Sequence, residues 1–231
     1  RTDCGETELI LIDLGNGKNR LGGSALAQVY KQTGNDAPDV DDPQRLKAFF
    51  NVVQKLNRED KLFAYHDRSD GGLFVALCEM AFAGHVGITA NLDELCYDPL
   101  CYDVEGQERQ PETLLPGRYQ ERILHVLFNE ELGAVLQVRA ADRSPVMQTL
   151  SQAGLSAHVL GGLNKSGELR LIRNAKVIFS ESQVMLQRMW SETTYHMQRL
   201  RDNPEAAQQE YDRILDGGNP GLHTQLTFDF K

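Results

Sequence analysis

The sequence predicts a layered domain of the α/β or α+β class. Three observations carry that expectation. Short apolar, β-branched runs alternate with stretches of helical periodicity. Gly, Pro or Ser marks most changes from one pattern to the next. The 231 residues are 41% hydrophobic and 25% charged, the balance of a chain that buries a core rather than one that stays disordered.

Leu9 to Ile12, closed by Asp13 and Gly15, reads as a buried strand. Gly22-Gly23 and the capping residue Ser24 open a helix over Ala25–Gln32, which Gly34 stops. Pro43 sits at a first-turn position, and Leu46, Phe49, Phe50, Val53 and Leu56 then recur at helical spacing. Leu62–Tyr65 predicts a further strand. It runs into His66-Asp67-Arg68-Ser69-Asp70-Gly71-Gly72 and a helix that buries Leu73, Ala76, Leu77, Met80 and Ala81. Gly84 ends this helix, and Val86–Ala90 predicts a strand. Beyond residue 124, His125–Phe128 and Ala134–Val138 read as strands around an acidic turn, followed by a helix over Ser144–Ala153. Shorter strands are expected near His158–Leu160, Leu169–Ile172 and Val177–Phe179. A long polar helix after Ser180 runs to Pro204, with Met185, Met189 and Met197 on its packed side.

Asn91–Glu131 stands apart. It holds ten acids against three arginines, together with Pro99, Pro111 and Pro116, so its centre reads as a solvated excursion. Glu130 and Glu131 admit two readings, a solvated turn or side chains that face a site.

The net charge of −9 and pI near 5.2 exclude a chain whose main work is gripping nucleic acid or an anionic membrane, both of which need clustered positive charge. No apolar run reaches the length of a bilayer span. Cys4, Cys78, Cys96 and Cys101 are too few for a disulfide scaffold, and Cys96 and Cys101 lack further ligands at zinc spacing. Reduced thiols and a cytoplasmic setting are expected.

The segment from His66 to Gly72 is the richest in chemistry. It packs two carboxylates, an imidazole, a guanidinium and a hydroxyl into five residues between a strand and a helix. α/β folds place ligands there, because a helix start presents unpaired N–H groups and the positive end of its dipole. A carboxylate at that point suits Mg²⁺, which takes one or two protein carboxylates together with phosphate oxygens. The same residues also admit a plainer reading, in which Asp67 or Ser69 caps the helix and Asp70-Gly71 forms a turn. His66 reads equally as a general base or as a hydrogen-bonded structural imidazole. Gly22-Gly23-Ser24 lacks any phosphate-loop signature and reads as a tight turn plus cap.

Leu21–Tyr30, Ala64–Leu73 with Glu79–Gly84, Phe128–Val135, Val177–Ser182, and Trp190–Thr194 with Met197–Pro204, in this order, resemble the large form of phosphoribosylformylglycinamidine synthase. The resemblance covers nearly the whole chain and implies a fragment of a purine-biosynthetic ATP-dependent ligase. That enzyme amidates formylglycinamide ribonucleotide with ammonia drawn from glutamine. The fold implied is a mixed sheet packed with helices, similar to the C-terminal domain of aminoimidazole ribonucleotide synthetase. Residues 1–202 would be this domain, with an acidic insertion at about 95–122, and residues 203–231 a linker toward a glutaminase domain. By match to the motif, Asp67 would be a Mg²⁺ ligand and Ser69 would contact ATP or ADP. The resemblance implies the other synthetase domains and the glutaminase domain of the same polypeptide as partners, together with small-molecule substrates, with no nucleic acid and no membrane. It leaves two roles for the nucleotide: turnover, or a structural nucleotide in a scaffolding domain.

Overall fold

The computed structural model describes residues 1–34, 36–97, 117–218, 225 and 227–228. Contacts divide the chain into two compact units, Arg1–Gln183 and Val184–Lys231.

The first unit is an α/β layered domain built on a seven-stranded mixed sheet. Its strands are β1 (Thr7–Asp13), β2 (Ala64–Asp67), β3 (Gly87–Asn91), β4 (Gly133–Arg139), β5 (Ser156–Asn164), β6 (Glu168–Arg173) and β7 (Lys176–Ser182), in the order β2-β4-β1-β5-β3-β6-β7. β3 and β6 run parallel, and the other described pairs are antiparallel. The helices are α1 (Ala25–Val29), α2 (Pro43–Arg58), α3 (Gly72–Gly84), α4 (Arg118–Phe128) and α5 (Arg143–Gln152).

β1 lies inside the sheet, and Leu9 to Ile12 are all buried, which accounts for an unbroken apolar run instead of an alternating one. Ile10 and Ile12 join Leu136 and Val138 of β4, Val52 and Leu56 of α2, and Val146 and Leu150 of α5 in one core. Leu9 and Leu11 point to the opposite face, which α3 and α4 cover. Phe74 ties that layer together, with its ring 5.5 Å from Phe128 and 5.3 Å edge-on from Phe179.

Several expectations need correction. His125–Phe128 is the last turn of α4, not a strand. Its contiguous apolar residues mimic a strand, but Val126 and Leu127 are buried while Leu124 is exposed, the one-sided burial of an amphipathic helix. α1 ends at Val29 instead of Gln32, and Lys31 just beyond it takes a left-handed conformation with φ 55°. β2 begins two residues later than expected because its register pairs Ala64 with Gln137 and Asp67 with Ala134. On α2, Val52 and Leu56 are buried, whereas Phe50 is 61% exposed. Next to the acidic excursion, Cys96 is fully buried and Arg122 Nη2 donates to the Tyr97 carbonyl at 3.1 Å, so both ends of the 95–122 stretch pack. Its centre, with Cys101, lies outside the described residues.

The second unit carries most of α6 (Gln183–Arg201) and all of α7 (Pro204–Asp212). Pro204 both ends the long helix and opens the next as its first residue, capped by Asn203. Tyr195 stacks on Tyr211 with centroids 4.3 Å apart, and the Arg188 guanidinium lies 3.9 Å above the Tyr211 ring. Met185, Met189 and Met197, expected to pack, are exposed; α6 instead buries Tyr195, which stacks on Tyr211. Most of the apolar tail after residue 225 lies outside the described residues.

Candidate functional site

The site forms where β2 gives way to α3. Arg68 at its centre is buried, while Asp67, Ser69 and Asp70 are exposed. Its guanidinium enters the domain. Nη2 donates to Asp13 Oδ1 at 2.6 Å and to the Leu132 carbonyl at 3.0 Å, and Nε donates to the Glu131 carbonyl at 2.6 Å. Alternation along the chain then turns Asp67 and Ser69 outward together. A buried arginine between two exposed oxygen-bearing side chains is the geometric core of the site.

Beneath it lies an ionic framework. Asp13 also accepts the Gly15 and Gly17 amides at 3.1 and 2.7 Å. Glu131 is 1% exposed and meets Arg20 through two parallel bonds, at 2.7 and 2.8 Å. Arg20 continues to Asp41 at 2.9 Å, and Lys18 reaches the same carboxylate at 3.0 Å. The hydrogen bond to Glu131 drives the Arg20 pKa upward against the opposing pull of burial. The bond from Lys18, more than that from Arg20, lowers Asp41. Gly15 is required here, since a Cβ at that position would lie 2.7 Å from the Glu131 carboxylate carbon.

The plainer reading of the motif fails on the helix start. The N-cap of α3 is Gly71, in the left-handed conformation, with no side-chain cap bond, so neither Asp67 nor Ser69 caps the helix. The expected turn is present: the Gly72 amide donates to the Ser69 carbonyl at 2.9 Å. Gly71 and Gly72 have φ of +80° and +68°, and a Cβ on Gly72 would stand 2.6 Å from the Asn129 carbonyl. Ser24 does cap α1, accepting from the Ala27 amide at 3.2 Å, as the tight-turn reading of Gly22-Gly23-Ser24 requires.

Both His66 nitrogens are engaged. Nε2 lies 3.0 Å from Glu79 of α3, and Nδ1 lies 2.7 Å from the Asp67 carbonyl. This is the structural imidazole of the two readings. The Tyr65 hydroxyl donates to Asp67 Oδ1.

Glu130 and Glu131 do not form a solvated turn. Glu131 is buried on Arg20, and Glu130 Oε1 accepts from the backbone amides of Ala25 and Gly71, each at 2.8 Å. Sequence reasoning missed Asp13 and Arg20 as framework residues. Their partners lie 55 and 111 positions away, and no local pattern carries that information.

The donor set at Asp67 fits a hard divalent cation of the Mg²⁺ kind. It offers an exposed carboxylate at Asp67 and an exposed hydroxyl two residues on at Ser69, and among the described residues no cluster of three or more His, Cys, Asp or Glu builds a complete metal cage. Such a cation draws its remaining ligands from phosphate and water.

Among solved structures, the fold is similar to Thermotoga maritima PurL complexed with ATP (14% identity, 78% of this chain and 25% of that chain, TM-score 0.53). It is also similar to the same protein complexed with FGAR (15% identity, 78% and 27%, TM-score 0.54). The Thermotoga maritima phosphoribosylformylglycinamidine synthase II structure gives 13% identity over 78% and 25%, with TM-score 0.53. The chain spans about a quarter of the length of these proteins. Residues 7–174 match the family described as AIR synthase related protein, C-terminal domain, and that match covers the seven-stranded sheet through β6 and the whole Asp67–Ser69 site. By that match the chain belongs to the AIR synthase related proteins, as their C-terminal domain.

Proposed function

We propose that this chain is the C-terminal-type domain of the synthetase region of a large phosphoribosylformylglycinamidine synthase, a purine-biosynthetic ligase acting in the cytoplasm. In that role it supplies one wall of a Mg²⁺–nucleotide site. Asp67 holds the cation and Ser69 contacts ATP or ADP. The other synthetase domains complete the site, and residues 203–231 link toward a glutaminase domain of the same polypeptide. The observation that carries this reading is the burial of Arg68 between Asp67 and Ser69, which leaves both oxygen-bearing side chains exposed where β2 ends. Bound Mg²⁺ would neutralise phosphate charge. The chain's own part is to fix the carboxylate through β2 and the hydroxyl through the turn that follows.

A second reading, a nucleotide held for structure without turnover, is favoured by His66. Glu79 and a backbone carbonyl occupy the ring of this candidate base, so His66 has no free nitrogen to offer as a proton acceptor.

The test is Asp67→Asn in the complete polypeptide. Since Asp67 caps nothing and an Asn amide oxygen still accepts from the Tyr65 hydroxyl, the melting temperature with nucleotide removed should change little, while retained nucleotide and its Mg²⁺ dependence fall. Unaltered nucleotide content across a Mg²⁺ titration would falsify the assignment. Turnover by the wild-type enzyme with loss of activity in Asp67→Asn would favour catalytic use. Full activity with reduced stability of the assembled enzyme would favour a structural nucleotide.

A further inference from the structure

Two glycine-bearing turns lead into helices of the first unit, at Gly22–Ser24 and at Ser69–Gly72. Backbone amides in such turns are the groups that commonly receive phosphate. In this chain they are already spoken for. Glu130 Oε1 accepts the Ala25 amide, the first of α1, and the Gly71 amide, the N-cap of α3, both at 2.8 Å. One oxygen atom thus joins two turns that are far apart in sequence.

The residues on either side prevent Glu130 from swinging away. Asn129 is fully buried, and its amide nitrogen donates to the His125 carbonyl at 2.7 Å, the Val126 carbonyl at 3.1 Å and Asn19 Oδ1 at 3.2 Å. Glu131 is locked to Arg20. The Gly72 backbone passes so close to the Asn129 carbonyl that no Cβ fits between them. The Asn129–Glu131 turn is therefore rigid, and it sets its central carboxylate against both loops.

We propose that Glu130 is the positioning residue of the nucleotide site. Its carboxylate holds the Ala25 and Gly71 amides together, fixes the Ser69–Gly72 turn that carries Ser69 and follows Asp67, and leaves Asp67 and Ser69 as the groups that meet nucleotide phosphates. The nucleotide part of this proposal rests on the function proposed above, whereas the clamp itself does not.

The experiment compares Glu130→Ala and Glu130→Gln in the complete polypeptide by two readouts: residue-resolved amide hydrogen exchange at Ala25 and Gly71, and retained ADP at saturating Mg²⁺. In Glu130→Ala, exchange at both amides should rise together, and ADP retention should fall by about 10- to 100-fold, as for a lost outer-shell contact. Glu130→Gln keeps an acceptor oxygen and should retain most of the ADP, with a several-fold rise in exchange at both amides. Sodium formate should restore protection and ADP retention in Glu130→Ala and change neither in the wild type, since only the truncated protein has a vacancy for a carboxylate. Exchange that rises at one amide only, or at neither, overturns the clamp. Lost protection with wild-type ADP retention overturns the positioning role. Should Glu130→Ala not fold, the paired exchange rise in Glu130→Gln decides. A wild-type protein that retains no ADP condemns the proposed function and leaves the exchange measurement to judge the clamp.

Discussion

The Tyr65 hydroxyl donates to Asp67 Oδ1 across one face of β2, so the carboxylate assigned to the cation is already oriented by a neighbour two residues away on its own strand. Burial, and after it this bond, raises the Tyr65 pKa. The phenol is neutral in the fold at a pH where the unfolded chain has begun to ionise it. Its contribution to stability is complete below the ordinary tyrosine value of about 10 and is lost as pH climbs above it. Urea midpoints measured from pH 9 to 11.5 should therefore decline more steeply in the wild type than in Tyr65→Phe. Parallel declines would contradict the assignment.

Arg68→Ala should be among the most damaging single changes in the domain. Its guanidinium and the Asp13 carboxylate are 2% and 4% exposed, so truncation leaves a buried charge with its main partner gone. The expected loss is about 3–5 kcal/mol by denaturant unfolding. Arg68→Lys should recover only part of it, because an ammonium cannot reach the Asp13 carboxylate and two carbonyls in one plane. A loss under 1 kcal/mol in Arg68→Ala would mean that water replaces the network.

The acidic excursion should be divisible. Replacing residues 98–116, an acidic stretch with Pro99, Pro111 and Pro116, by a short Gly/Ser segment is expected to change stability by less than about 1 kcal/mol. Excising the whole of 95–122 should cost more than about 2 kcal/mol, since it removes the buried Cys96 and the Arg122 bond to Tyr97. Equal effects of the two deletions would refute this division.

Thiol reactivity should separate along burial. Burial, with a smaller effect of Glu79, pushes the Cys78 thiol up to about 12, and burial also raises Cys96 against the opposing pull of Arg173. At pH 8, iodoacetamide should modify Cys4 while Cys78 and Cys96 stay protected until the domain unfolds, because the thiolate is the reactive species. Peptide mass spectrometry reads each position. Alkylation of Cys78 at the Cys4 rate in folded protein would show that the interior opens.

What could be read from the sequence depended on how far each signal reaches along the chain. β1 was plain because a strand buried on both faces writes its burial in consecutive residues, Leu9 to Ile12. The helix at Pro43 was plain because a first-turn proline and apolar residues at helical spacing mark it within a few positions, and the structure adds Asp42 as its cap. His125–Phe128 misled because four residues cannot distinguish the apolar edge of a helix from a strand, and the rest of that helix lay in a stretch dominated by acids. The site was half legible. Asp67 and Ser69 stood in one motif, but the groups that hold them in place are the carboxylates of Asp13 and Glu130 and the Glu131 backbone carbonyl. The solvated-turn reading of the two glutamates, one of the two they admitted, failed for the same reason: their partners sit at positions 20, 25 and 71.

The place of β1 inside the sheet has a consequence for biosynthesis. Its two neighbours are β4 and β5, so the first strand of this domain gains its first partner only about 120 residues later in synthesis, when Gly133 to Arg139 emerge. At about 5–20 residues per second, translation leaves Leu9 to Ile12 without a sheet for on the order of ten seconds. During that interval the run Leu9 to Ile12 has no sheet to enter, and a pause in translation before residue 133 would lengthen its exposure to aggregation.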